Sequence, residues 1–140
     1  MKNKILIMTM LVALGACSNH KKTESLYDQL GGEPVINQIT SNLLDRILNN
    51  EKIAFLFKET VREDLHERIV SQLCQETGGP CVYEGLDMVE AHSGQEIKYS
   101  EFDVFVEDLI LAMEDANVPF TLQNQFLAIF APMREDITYQ

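Results

Sequence analysis

Gly78-Gly79-Pro80-Cys81-Val82-Tyr83-Glu84-Gly85-Leu86-Asp87-Met88-Val89-Glu90-Ala91-His92 is the stretch on which the reading of the chain turns. Two glycines and a proline cannot carry a helix on, so the helix before them stops here. Gly85 loosens the chain a second time. Met88 and His92 then stand four apart, on one face of a short helix. A lone His on a helix is most often a surface or hydrogen-bonded residue. Facing a cavity, with a thioether on the same face, it can hold one metal axially but cannot build a zinc site alone.

On either side of that stretch the apolar spacing is helical. Ser25 to Leu30 reads as a short first helix stopped by Gly31-Gly32. Pro34 suits the first turn of a second helix, whose stripe is Val35, Ile36, Ile39, Leu43, Ile47 and Leu48. Asn49-Asn50 breaks it, and Ile53 to Phe57 forms an apolar turn. A third helix is expected from Arg62 to Glu76, with Leu65, Ile69 and Leu73 inward. After a break at Ser93-Gly94, Ser100 and Asp103 have the spacing of a capping box. Phe102, Phe105, Val106, Leu109, Ile110 and Met113 mark a long amphipathic helix that Asn117-Val118-Pro119 ends. Thr121 is expected to open the last helix, and Pro132 to kink or split it. No segment reads as a strand. The expected class is all-α, with two antiparallel helix pairs crossed over a cavity.

The Gly-Gly-Pro turn followed by Tyr83, Gly85, Met88 and His92 resembles the truncated haemoglobins, the two-over-two globins. The similarity starts at Ser25-Leu26-Tyr27-Asp28 and Gly31-Gly32 and reaches the end of the last helix. Groups II and III of that family typically carry a Trp near the ligand pocket. This chain has none, so it is most similar to group I. The resemblance implies a two-over-two helical sandwich around haem b, with His92 as the proximal iron ligand. It places Phe57, Leu65, Ile69, Met88, Ile97 and Phe102 against the porphyrin. Arg68 falls where the family often has a basic residue near a haem propionate; the other reading is a solvated Arg beside Asp64 and Glu67.

On the distal side the chain departs from the family pattern. Group I members typically have a Tyr on the second helix and one or two Gln on the third. The matching positions here are Leu44, Leu65 and Ile69, none of which donates a hydrogen bond. His66 stands beside Leu65 rather than on the inward stripe, so the haem edge or solvent is its expected place, with sixth-ligand binding as the alternative. The function implied is reversible binding of dioxygen, nitric oxide or carbon monoxide. The alternative is a redox enzyme of the same fold, a nitric oxide dioxygenase or a peroxide or nitrite enzyme. That reading needs an external electron donor, because the chain has no reductase motif.

The beginning of the chain points to export. Lys2 and Lys4 precede an apolar run from Ile5 to Leu14, too short to span a bilayer. Small residues follow, as in a secretory signal. Leu14-Gly15-Ala16-Cys17 resembles a bacterial lipobox, in which the Cys is lipidated and becomes the first mature residue. The expected organisation is a signal peptide at 1–16, lipidated Cys17 and a polar tether to 24, and a globin domain at 25–140. By resemblance to Gram-negative lipoproteins, Ser18 after Cys17 leans towards the outer membrane, facing the periplasm. An exported chain meets oxidising conditions, so Cys74 and Cys81 are expected to form a disulfide; the alternative is two free thiols.

Charge narrows the partners. With 11 Lys and Arg against 22 Asp and Glu the formal net charge is −11. A nucleic-acid backbone is therefore excluded as a partner. Anionic headgroups would not attract the domain either, which leaves the lipid on Cys17 to hold it at a membrane.

Overall fold

Why the chain folds as it does is clearest at its helix ends. In the computed structural model, which describes residues 23–140, the first helix α1 (Leu26–Leu30) is opened by Ser25. The Ser25 hydroxyl accepts from the Asp28 amide at 3.1 Å and donates to the Asp28 carboxylate at 2.8 Å. Gly31 closes α1 in left-handed backbone at φ 109°, a conformation open to glycine at little cost. The apolar run at 5–14, Cys17 and His20 lie outside the described residues.

Helix α2 (Glu33–Ile47) starts with Pro34 in its first turn. Its Ile36, Ile39, Leu43, Leu44 and Ile47 are buried in one core with Leu109 and Met113 of α5 (Tyr99–Asp115) and Phe126 of α6 (Phe120–Phe130). Burying each of these side chains contributes roughly 1.5–3 kcal/mol. Helix α2 packs on α5 and on α3 (Arg62–Glu76). Polar ties reinforce that packing. Asn42 Nδ2 donates to the Ala112 carbonyl at 3.2 Å, and Asn50 Nδ2 to the buried Asp108 carboxylate at 2.7 Å. The Asp108 bond ties the connection after α2 to α5 and satisfies an acid that would otherwise be costly to bury.

The helix starts expected near residues 100 and 121 both need correction. The box expected at Ser100 and Asp103 does not form. Instead α5 starts at Tyr99, and the Glu101 carboxylate accepts from the Lys98 amide at 2.8 Å. Three-residue spacing fits both pairs equally well; Glu101 takes the bond because the helix begins one residue before Ser100. Likewise α6 begins at Phe120, one residue ahead of Thr121, with Pro119 at its N-cap. Pro132 splits the last helix as expected: α6 gives way to a 3-10 turn at Ala131–Met133 and then to α7 (Arg134–Ile137). Helix α4 (Met88–His92) completes the set, and there is no strand among the described residues.

The Gly-Gly-Pro turn is held from three sides. Gly78 sits at φ 82°, and Cys74 and Cys81 are joined in a disulfide across the turn. A loop this short contributes about 2–3 kcal/mol. Thr77 is buried at the end of α3, and its carbonyl accepts from the Tyr27 amide at 2.9 Å, which seats α1 on this corner. A Cβ on Gly79 would lie 2.7 Å from Cys74 Sγ, 2.8 Å from the Cys74 carbonyl oxygen and 2.8 Å from the Tyr27 ring. No L side chain fits there. Gly79→Ala should lower unfolding stability by about 1–3 kcal/mol in urea titration. An unchanged midpoint would refute the crowding.

Candidate functional site

Helices α3 and α4 face each other across a cavity of about 310 Å³. That volume lies in the range of small-molecule and cofactor sites, roughly 300–1,000 Å³. Leu65 and Ile69 come from α3, Phe57 from the preceding 3-10 turn, and Met88 and His92 from α4. Ile97 and Phe102 close the wall beneath. Arg68, Gln72, Gln95 and Glu101 give polar groups to the lining.

His92 is set by its own helix. Asp87 caps α4, its carboxylate accepting from the Glu90 amide at 2.8 Å. His92 Nδ1 lies 2.7 Å from the Met88 carbonyl. A carbonyl oxygen only accepts, so Nδ1 carries the proton. In neutral imidazole Nε2 then keeps its lone pair. No hydrogen bond engages Nε2 among the described residues, and the ring lines the cavity. This is the arrangement an axial metal ligand needs, with one nitrogen oriented and the other free. Among the described residues no group of three His, Cys, Asp or Glu could hold a bare metal ion. A metal at His92 must therefore arrive inside a group with its own ligands. The apolar side chains on both sides of the cavity fit a flat, largely apolar macrocycle with its charged edge at the Arg68 side.

The residues singled out from sequence fall into three places. Phe57, Leu65, Arg68, Ile69, Met88, His92, Ile97 and Phe102 all line this cavity. Leu44 does not: it is completely buried in the hydrophobic core. Its expected place on the distal face is corrected, because its side chain packs into the core rather than reaching through to the cavity. His66 is turned to α2, with Nε2 3.1 Å from the Ser41 hydroxyl, and it does not line the cavity. Arg68 is exposed at the cavity's edge and makes no ion pair among the described residues, so it stands solvated beside Asp64 and Glu67 while also reaching the lining.

Several lining residues were missed. Gln72 follows Leu65 at seven and Ile69 at three, a helical spacing that could have found it. Its Nε2 lies 3.4 Å from Met88 Sδ, linking α3 to α4. Tyr83 and Leu86 come from the disulfide-bounded loop, where the Tyr83 hydroxyl donates to the Leu86 carbonyl at 3.1 Å. Met133 and Ile137 come from beyond the Pro132 break; the helical spacing of the last segment puts them on its inward face, but not in this cavity.

A two-over-two arrangement of helices with one oriented, open imidazole is the geometry of a globin pocket. The family profile of the bacterial-like globins matches residues 25–139, and the chain belongs to that family. A group 1 truncated haemoglobin of Tetrahymena pyriformis is 26% identical over 116 residues, covering 83% of this chain and 96% of that protein. Another from Mycolicibacterium paratuberculosis is 28% identical over 113 residues, 81% of this chain and 83% of the relative. The solved ferric Tetrahymena pyriformis structure superposes with a TM-score of 0.80 at 25% identity, over 83% of this chain and 99% of that one. This chain is thus an all-α haem-binding globin of the group 1 truncated kind.

Removing the cap should loosen the ligand's helix first. Asp87→Ala should cost about 1 kcal/mol and speed amide exchange at Glu90 several-fold, with α2 unaffected. Equal exchange at Glu90 in both proteins would contradict the capping role.

Proposed function

We propose that the chain binds haem b through His92 Nε2 and takes up diatomic gases reversibly on the opposite face. The observation that carries this reading is the free Nε2 at the cavity, fixed by the Met88 carbonyl. When bound, haem would supply an iron able to take up dioxygen, nitric oxide or carbon monoxide. His92 holds and orients it. Phe57, Leu65 and Ile69 cover the distal face and exclude water, and Arg68 offers a cation to a propionate. His66, engaged with Ser41, leaves the sixth position to the gas.

The distal lining favours a binder over an oxidation catalyst. Leu65 and Ile69 donate nothing to a dipolar ligand, and Leu44 is out of reach. Without one donor, bound dioxygen loses about 1–3 kcal/mol, roughly a factor of ten or more in lifetime. The chain should therefore release dioxygen quickly and discriminate weakly against carbon monoxide. By the same proposal residues 1–16 are a signal peptide and lipidated Cys17 anchors the globin in the cell envelope, at an outer membrane facing the periplasm. No helix of the described residues is long and apolar enough to cross a membrane.

Absorption spectra of the ferric, ferrous and carbon-monoxide forms test the haem assignment. A Soret band is expected in the native chain and its loss in His92→Ala, with a five-coordinate ferrous spectrum unchanged by His66→Ala. A Soret band of full intensity in His92→Ala would sink the ligand assignment. Leu65→Gln should slow dioxygen release about tenfold by stopped flow; an off-rate already slow in the native chain, or unmoved by the Gln, would show that the distal face is not what sets it.

A further inference from the structure

The helix that carries His92 has few holds of its own. It is five residues long, none of them buried, and it lies outside the hydrophobic core. On its N-terminal side Asp87 and the disulfide-bounded loop fix it. On its C-terminal side the chain from Ser93 to Lys98 is irregular, and residues 134–140 close over it.

That closure is made by backbone. The Tyr139 amide donates to the Ile97 carbonyl at 2.9 Å. The Gly94 and Glu96 amides both donate to the Gln140 carbonyl, at 3.1 and 3.3 Å. Gln140 is tied down in turn, its Nε2 donating to the carbonyls of Glu135 at 2.8 Å and Thr138 at 3.0 Å. The Tyr139 ring meets Tyr99 edge-on, with centroids 5.0 Å apart. Tyr99 carries the Arg134 guanidinium 4.6 Å from its centroid, and Arg134 pairs with Asp103 at 3.0 Å. Glu96 and Tyr139, at φ 48° and 57°, both stand in left-handed backbone that L residues rarely adopt. Such conformations persist where the surroundings over-determine them, and here one member stands on each side of the clamp. Helix α7 also packs directly on α4.

We propose that residues 134–140 are a positioning element for His92, a strap that fixes the imidazole and so sets how firmly the haem iron is gripped. The inference rests on the haem-ligand reading above. The strap's one buried residue, Thr138, lies outside the hydrophobic core, so loss of residues 139 and 140 should leave the rest of the fold in place.

The test compares the full chain with a chain ending at Thr138 and with Tyr139→Phe, which keeps the ring and every backbone bond. Amide exchange of residues 89–98 should be about tenfold faster in the shortened chain, with α2 and α5 unchanged and Tyr139→Phe native. In the ferrous haem form the iron–histidine stretching band should shift, and haem transfer to an excess of apomyoglobin should be about tenfold faster. Equal exchange in the full and shortened chains overturns the proposal. Faster exchange with an unmoved stretching band and transfer rate also overturns it, since the strap would then be structural only. Failure of the full chain itself to take up haem would sink the haem reading before any variant is compared, while the exchange result would still report on the strap.

Discussion

One hydrogen bond, from His92 Nδ1 to the carbonyl of Met88, decides what this pocket can do. It holds the ring's N–H on Nδ1 and leaves Nε2 free. It forms because the two residues stand one helical turn apart, so it exists only while α4 is wound. Five residues of helix do not stay wound unaided. The structure meets that constraint with an Asp87 cap at one end, a disulfide-bounded loop leading into it, and the backbone bonds of residues 139 and 140 beyond the other.

The molecule divides its work accordingly. The core formed by α2, α5 and α6 is fully buried and holds the fold. The pocket walls from α3, α4 and α7 are only partly buried and face a common space. Leu44 marks the border between the two. It lies on the same helix face as other core residues, and its side chain ends inside the packed layer. Placing a Leu there gives stability to the core and offers nothing to the cavity.

The distal consequence is chemical rather than architectural. The fold matches its group 1 relatives, yet Leu65 and Ile69 line the cavity with hydrocarbon. The nearest imidazole, His66, is engaged by Ser41 between α2 and α3. Gln72, also in the lining, has its Nε2 3.4 Å from Met88 Sδ.

The sequence alone determined the helices and most of the pocket. The glycines and prolines that stop each helix act within a few residues, so α3 could be bounded from the chain itself. The period of Leu65 and Ile69 and the four-residue step from Met88 to His92 are likewise local, and they survive folding unchanged. Tertiary structure decided what local pattern cannot carry. Whether Ser100 or Lys98 starts α5 depended on competing carboxylates at the same spacing. Whether Leu44 reaches the cavity depended on how α2 packs against α3 and α5, which the helix pattern alone does not settle. Tyr83 reaches the site from the loop before α4, and Met133 and Ile137 from beyond the Pro132 break, and how far apart such segments come to lie is written in no single stretch of chain.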